Sequence, residues 1–127
     1  MNVLVDTSIW IDYLRNGRHG ELLDSLIDNN LIVVNELILS ELIPALTVQG
    51  QTKLISLLRL LPRYPISIDW EEIRTIQIRC MRKGFNGIGI PDLIVAQNAL
   101  QHRSPLYALD KHFDWLVDAI SLKLFSV

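Results

Sequence analysis

The stretch NVLVDTSIWIDYL, residues 2–14, carries the decision about the fold. Three apolar residues, Val3, Leu4 and Val5, end abruptly in a carboxylate, Asp6; two hydroxyls, Thr7 and Ser8, and a second apolar run follow. A short β-branched run reads as a strand, and Thr7 or Ser8 can cap a helix that continues through Tyr13 or Leu14. A buried strand feeding directly into a helix is the unit of a parallel sheet. Asp6 then stands at the strand's carboxyl end, where open α/β sheets gather their functional groups.

The rest of the chain repeats the alternation. Gly17 and Gly20 bracket a turn, and Glu21 to Leu26 suits a short second helix. Leu31 to Val34 has the unbroken apolar character of a strand covered on both faces. Asn35 can cap a helix from Glu36 towards Gly50, with a kink or break expected at Pro44. Leu54, Leu57, Leu58 and Leu61 form the stripe of a further helix, and Ile66 to Ile68 is a candidate strand. Asp69 and Glu72 resemble a capping box ahead of a helix whose inner face holds Ile73, Ile76 and Cys80. A glycine-rich loop from Gly84 to Gly89 leads to Pro91, suited to the first turn of a helix through Leu100. Leu106 to Leu109 is another apolar strand ending in Asp110, and Leu122 to Phe125 is a candidate edge strand. The pattern predicts one α/β domain over residues 1–127, a three-layer α/β/α sandwich with a mainly parallel central sheet.

Composition narrows the possibilities. The 127 residues are 50% hydrophobic with a formal net charge of -2, enough apolar material for one substantial core. No apolar run approaches the roughly 18–20 residues a membrane span needs, and no leader-like segment opens the chain, so a cytoplasmic location is expected. The single cysteine, Cys80, excludes an intrachain disulfide and any cysteine-based zinc cage. The acidic balance argues against binding nucleic acid by bulk basicity. Committing several carboxylates to cations would leave the remaining chain formally positive, so that argument alone does not decide.

Four acids converge by topology. Asp6 and Asp110 follow strands, Asp92 occupies a helix first turn, and Glu41 lies about two turns into the helix after the second strand. Each has an ordinary explanation as a strand end, a cap or a solvated helix residue. Together, like charges at one sheet edge are unfavourable unless a cation lies among them. An oxygen-rich donor set without sulfur suits Mg²⁺ or Mn²⁺ rather than zinc, and such ions serve phosphoryl chemistry. A receiver or a two-aspartate phosphatase also places acids at strand ends. The phosphatase wants a second acid where Ser8 stands, and the receiver wants adjacent early acids that Asn2-Val3 does not supply.

The segments VLVDTSIWIDYL, NELILSELI, GIPDLIVAQNAL and LYALDKHFDWL, in this order, resemble the PIN domain family, and in detail the small bacterial VapC-type toxins of toxin–antitoxin pairs. The resemblance implies a metal-dependent endoribonuclease with Asp6, Glu41, Asp92 and Asp110 as catalytic and Mg²⁺- or Mn²⁺-binding residues. It implies RNA as substrate, a VapB-type antitoxin as partner, and Thr7 or Ser8 orienting a ligand carboxylate. Family members often carry another acid two residues beyond the fourth; here His112 stands there, and Asp114 is displaced by two. His112 reads as a surface or packing residue, with a catalytic proton donor as the alternative, and His19 and His102 carry less weight still. Arg79, Arg82 and Lys83 share a helix face that is either solvated or tracks phosphates, with Lys111 and Arg15 as comparable candidates. Trp10, Tyr13, Leu57 and Leu60 exceed what a small core needs, which predicts a homodimer plus an antitoxin segment. A degenerate PIN scaffold acting only by protein contacts is the non-enzymatic alternative.

Overall fold

A computed structural model describes residues 1–15, 17 and 20–126. Among them the chain forms, in order, β1 (Val3–Val5), α1 (Thr7–Leu14), α2 (Gly20–Asp28), β2 (Ile32–Val33), α3 (Glu36–Val48), α4 (Thr52–Leu60), α5 (Trp70–Arg82), α6 (Ile90–Gln101), β3 (Leu106–Tyr107) and α7 (Lys111–Ile120). The turn expected between Gly17 and Gly20 runs partly outside the described residues, as does His19.

β1 lies at the centre of a parallel sheet of order β2-β1-β3. Val3 pairs with Ile32 and Leu4 with Val33 on one side; Leu4 pairs with Leu106 and Val5 with Tyr107 on the other. Its amides donate alternately, Val3 to the Leu31 carbonyl, Leu4 to Pro105 and Asp6 to Tyr107. Successive strand residues face opposite sides, and all three β1 side chains are 0% exposed, so helices cover both faces. This is the expected α/β/α architecture.

The strands are shorter than their apolar runs. Ile66 to Ile68 forms no strand, because α6 side chains take the backbone groups there. Asn98 Nδ2 donates to the Pro65 carbonyl and Gln101 Nε2 to that of Ser67. Among the described residues only Val34 and Arg63 make a parallel bridge on that side, and the expected edge strand from Leu122 contracts to one bridge between Leu106 and Leu124. β3 stops at Tyr107, two residues before the apolar run ends, since the Leu109 amide turns away to the Ser8 hydroxyl.

α3 continues through Pro44 as one helix, so the expected break does not occur. The Asp69 carboxylate caps α5 through the Glu72 amide, but the return bond of a capping box is replaced by Gln97, which accepts from the Asp69 amide and donates to Glu72 Oε1. Gly84 (φ 79°) and Gly87 (φ 87°) occupy left-handed conformations that favour glycine in the α5–α6 loop. Trp10 is fully buried, which corrects its assignment to an exposed apolar surplus. Leu60, 84% exposed, fits that assignment.

Candidate functional site

The four sequence-predicted acids all sit where helices begin or pass at the carboxyl edge of the sheet. Asp6 follows β1 directly and caps α1, its Oδ2 accepting from the Ser8 amide (3.2 Å) and the Ser8 hydroxyl (2.8 Å). Asp110 is not the end of a strand, as expected, but the N-cap of α7, its Oδ1 accepting from the His112 amide at 2.9 Å. Asp92 lies in the first turn of α6. Glu41, on α3, accepts a long 3.4 Å bond from the Thr7 hydroxyl. The two hydroxyls after Asp6 thus serve two different acids.

Ser8 has a second task. Its Oγ also accepts from the Leu109 amide at 3.0 Å, tying the β1–α1 junction to the β3–α7 junction one residue before Asp110. One hydroxyl therefore sets both the orientation of the Asp6 carboxylate and the approach of the loop that carries Asp110. Ser8→Ala is expected to destabilise the metal-free protein by about 1 kcal/mol, the ordinary net value of such a bond. It should also weaken cation-induced stabilisation; melting curves with and without Mn²⁺ read both effects, and a variant indistinguishable from wild type would remove this role.

Electrostatics bind the acids into one cluster. Burial, above all, raises the Asp6 pKa above its ordinary value; the Ser8 and Thr7 hydrogen bonds oppose the rise and the charge of Asp92 adds to it. Glu41 is exposed as a residue, yet loss of solvent around its carboxyl and then the charge of Asp6 raise its pKa, with Asp92 contributing and Thr7 opposing. Asp92 is raised first by burial and also by Asp110, while its bond to His112 pulls the other way. Every acid is coupled to at least one other. Such repulsion is what a divalent cation relieves, and the oxygen donors suit a hard one.

Sequence reasoning missed one member of the cluster. His112 Nδ1 lies 3.3 Å from Asp92 Oδ2 and 3.4 Å from Asp110 Oδ1, between the two carboxylates. Ligand atoms of Asp92, Asp110 and His112 all fall within 4.8 Å of one another, a grouping that does not include Asp6 or Glu41. The signal was its position, two residues beyond Asp110 where the family often has an acid. Asp114 is exposed and stands outside this grouping.

The basic strip on α5 is partly committed elsewhere. Arg79 donates to the Ala119 carbonyl and Lys83 pairs with Asp118, both near the far end of α7, about 13 Å along the helix from Asp110. Lys111 lies over the Trp115 ring. Tyr13 donates to Asp24 Oδ1, away from the acids. No described helix is long and apolar enough to cross a membrane.

Three solved structures share this fold over 98% of the chain. VapBC2 from Rickettsia felis, bound to a DNA fragment from its promoter, is 22% identical with a TM-score of 0.75, and 98% of that chain is covered. FitAcB from Neisseria gonorrhoeae is 20% identical, TM-score 0.69, over 96% of its chain. DNA-bound VapBC from Salmonella typhimurium is 18% identical, TM-score 0.66, over 97% of its chain. At these identities the likeness is one of fold. No curated protein matches the chain. The sequence itself matches the PIN domain family over residues 3–116, a span that contains all four acids and His112, and the chain belongs to that family.

Proposed function

We propose that this chain is a Mg²⁺- or Mn²⁺-dependent endoribonuclease, the VapC-type toxin of a toxin–antitoxin pair, held in check by a VapB-type antitoxin. The observation that carries the reading is the mutual coupling of Asp6, Glu41, Asp92 and Asp110, three of them with raised pKa, at the carboxyl edge of a PIN-family sheet. Asp6, Asp92 and Asp110 would hold the cation, with Glu41 beside them. A divalent cation bound there supplies positive charge to the scissile phosphate and acidifies water. Asp6, locked by Ser8, provides a rigid anchor. Glu41, steadied by Thr7 and less buried than Asp6, orients the attacking water and takes its proton at Oε, for which a raised pKa is an advantage near neutral pH. The antitoxin partner is supported by the VapBC complexes that share the fold. A homodimer working in the cytoplasm, one domain per chain, completes the proposal; the exposed Leu60 is consistent with such an interface.

The test is cleavage of RNA by purified protein with Mg²⁺ or Mn²⁺. EDTA is expected to stop it, and Glu41→Gln and Asp92→Asn to lose roughly a hundredfold or more while staying folded. Undiminished cleavage in EDTA overturns the metal mechanism. Induced expression separates the rival: growth arrest that survives Glu41→Gln points to a scaffold acting by protein contacts.

A further inference from the structure

We propose that His112 supplies a nitrogen ligand to the cation held by Asp92 and Asp110, making that end of the cluster a mixed imidazole–carboxylate site that favours Mn²⁺ over Mg²⁺. The inference rests on the metal reading above and adds to it a ligand and a preference.

Three observations carry it. The first is spacing. Two ligand atoms at right angles about a cation some 2.1 Å from each are about 3 Å apart. Nδ1 stands 3.3 Å from Asp92 Oδ2 and 3.4 Å from Asp110 Oδ1, within a few tenths of that value on both edges. As hydrogen bonds these contacts are long, since charge-assisted N–H···O bonds settle near 2.7–2.9 Å. The ring is placed for a shared third body more than for either carboxylate alone.

The second is restraint. The His112 amide is fixed by its bond to Asp110 Oδ1, and the Trp115 ring, 5.3 Å away, lies against the imidazole. Trp115 is itself stacked on Phe85 with the planes 9° apart. This row of rings holds the imidazole at the cluster, so ordering it on ion binding costs little entropy.

The third is the chemistry of the donors. Mg²⁺ takes oxygen ligands and keeps its waters, whereas imidazole suits first-row transition ions. Replacing a carboxylate by imidazole also leaves one negative charge fewer, which weakens Mg²⁺ more than an ion that accepts nitrogen.

The experiment uses the full chain loaded with Mn²⁺ alone. Pulsed electron paramagnetic resonance is expected to show nitrogen modulation in the wild type that disappears in His112→Asp. Calorimetric titrations should show the Mn²⁺-to-Mg²⁺ affinity ratio falling roughly tenfold or more in that variant. If His112→Asp does not fold, histidine-selective ¹⁵N labelling of the unmutated chain must change the modulation. Bound Mn²⁺ without nitrogen modulation, or an unchanged ratio, overturns the role of His112 and leaves the carboxylate reading intact. Failure of wild type to bind Mn²⁺ at all overturns both.

Discussion

Asp6→Asn is expected to stabilise the protein without metal and, in the same variant, to abolish the stabilisation that Mg²⁺ or Mn²⁺ confers. Asparagine caps helices as well as aspartate and can still accept the Ser8 bonds, so the local structure should survive. What it removes is a buried charge, 7% exposed, that faces Asp92 and Glu41. A like charge some 7 Å away at an effective dielectric near 20 costs on the order of 2 kcal/mol, before proton uptake relieves part of it. Because Asp6, Glu41 and Asp92 all have raised pKa in the fold, the folded chain binds more protons than the unfolded one from about pH 4 upward through the raised values. Stability without metal should therefore be greatest below the ordinary carboxylate range and fall as pH rises. The gain from Asp6→Asn should be small at pH 4 and reach roughly 3–8 °C in Tm at pH 7.5. Excess cation should raise the wild-type Tm by mass action and leave the variant unmoved. Melting curves in EDTA and in Mn²⁺ at the two pH values decide it. A variant less stable in EDTA yet equally responsive to metal would make Asp6 a cap and nothing more.

The second large effect lies away from the acids. Asn35 and Asn98 are buried at 0% and 2% exposure and form a relay. Asn35 Oδ1 caps α3 through the Ile38 amide, its Nδ2 donates to Asn98 Oδ1 at 2.9 Å, and Asn98 Nδ2 donates to the Pro65 carbonyl. Asn98→Leu leaves the buried Asn35 amide without its partner, while the carbonyl of the exposed Pro65 keeps His102 Nε2 at 3.2 Å. The orphaned Asn35 amide costs roughly 1–3 kcal/mol, so a Tm some 4–12 °C lower is expected. Gln101→Ala, which removes an exposed bond to Ser67, should change stability by less than about 0.5 kcal/mol and serves as the contrast. RNA cleavage should fall as well, since the relay joins α3 to α6 six residues from Glu41 on one helix and six from Asp92 on the other. An Asn98→Leu melting curve superimposed on wild type would remove the relay from the account.

Much of this was legible in the sequence for physical reasons. Val3-Leu4-Val5 reads as a strand and Leu31 to Val34 as a doubly covered one, and Asp69, Pro91 and Asn35 mark helix starts by chemistry that acts within a few residues. What the sequence hid depends on distant neighbours. Ile66 to Ile68 has strand-forming residues, but Asn98 and Gln101 claim its surroundings from 30 or so residues away. Trp10 looked like an interface residue because α1 is apolar on several sides, and burial was decided by the helices packed on it. His112 shows in the sequence only as a departure from the family pattern; its place beside Asp92 depends on the fold that brings α6 and α7 together.

The placement of the acids has a consequence for the backbone charge around them. Asp6 and Asp110 cap α1 and α7, and Asp92 sits in the first turn of α6, so three helix N-termini meet at the cluster. Each such terminus carries roughly half a positive charge, which together offsets a useful part of the repulsion. The backbone itself thus supplies part of the counter-charge for carboxylates gathered at one edge.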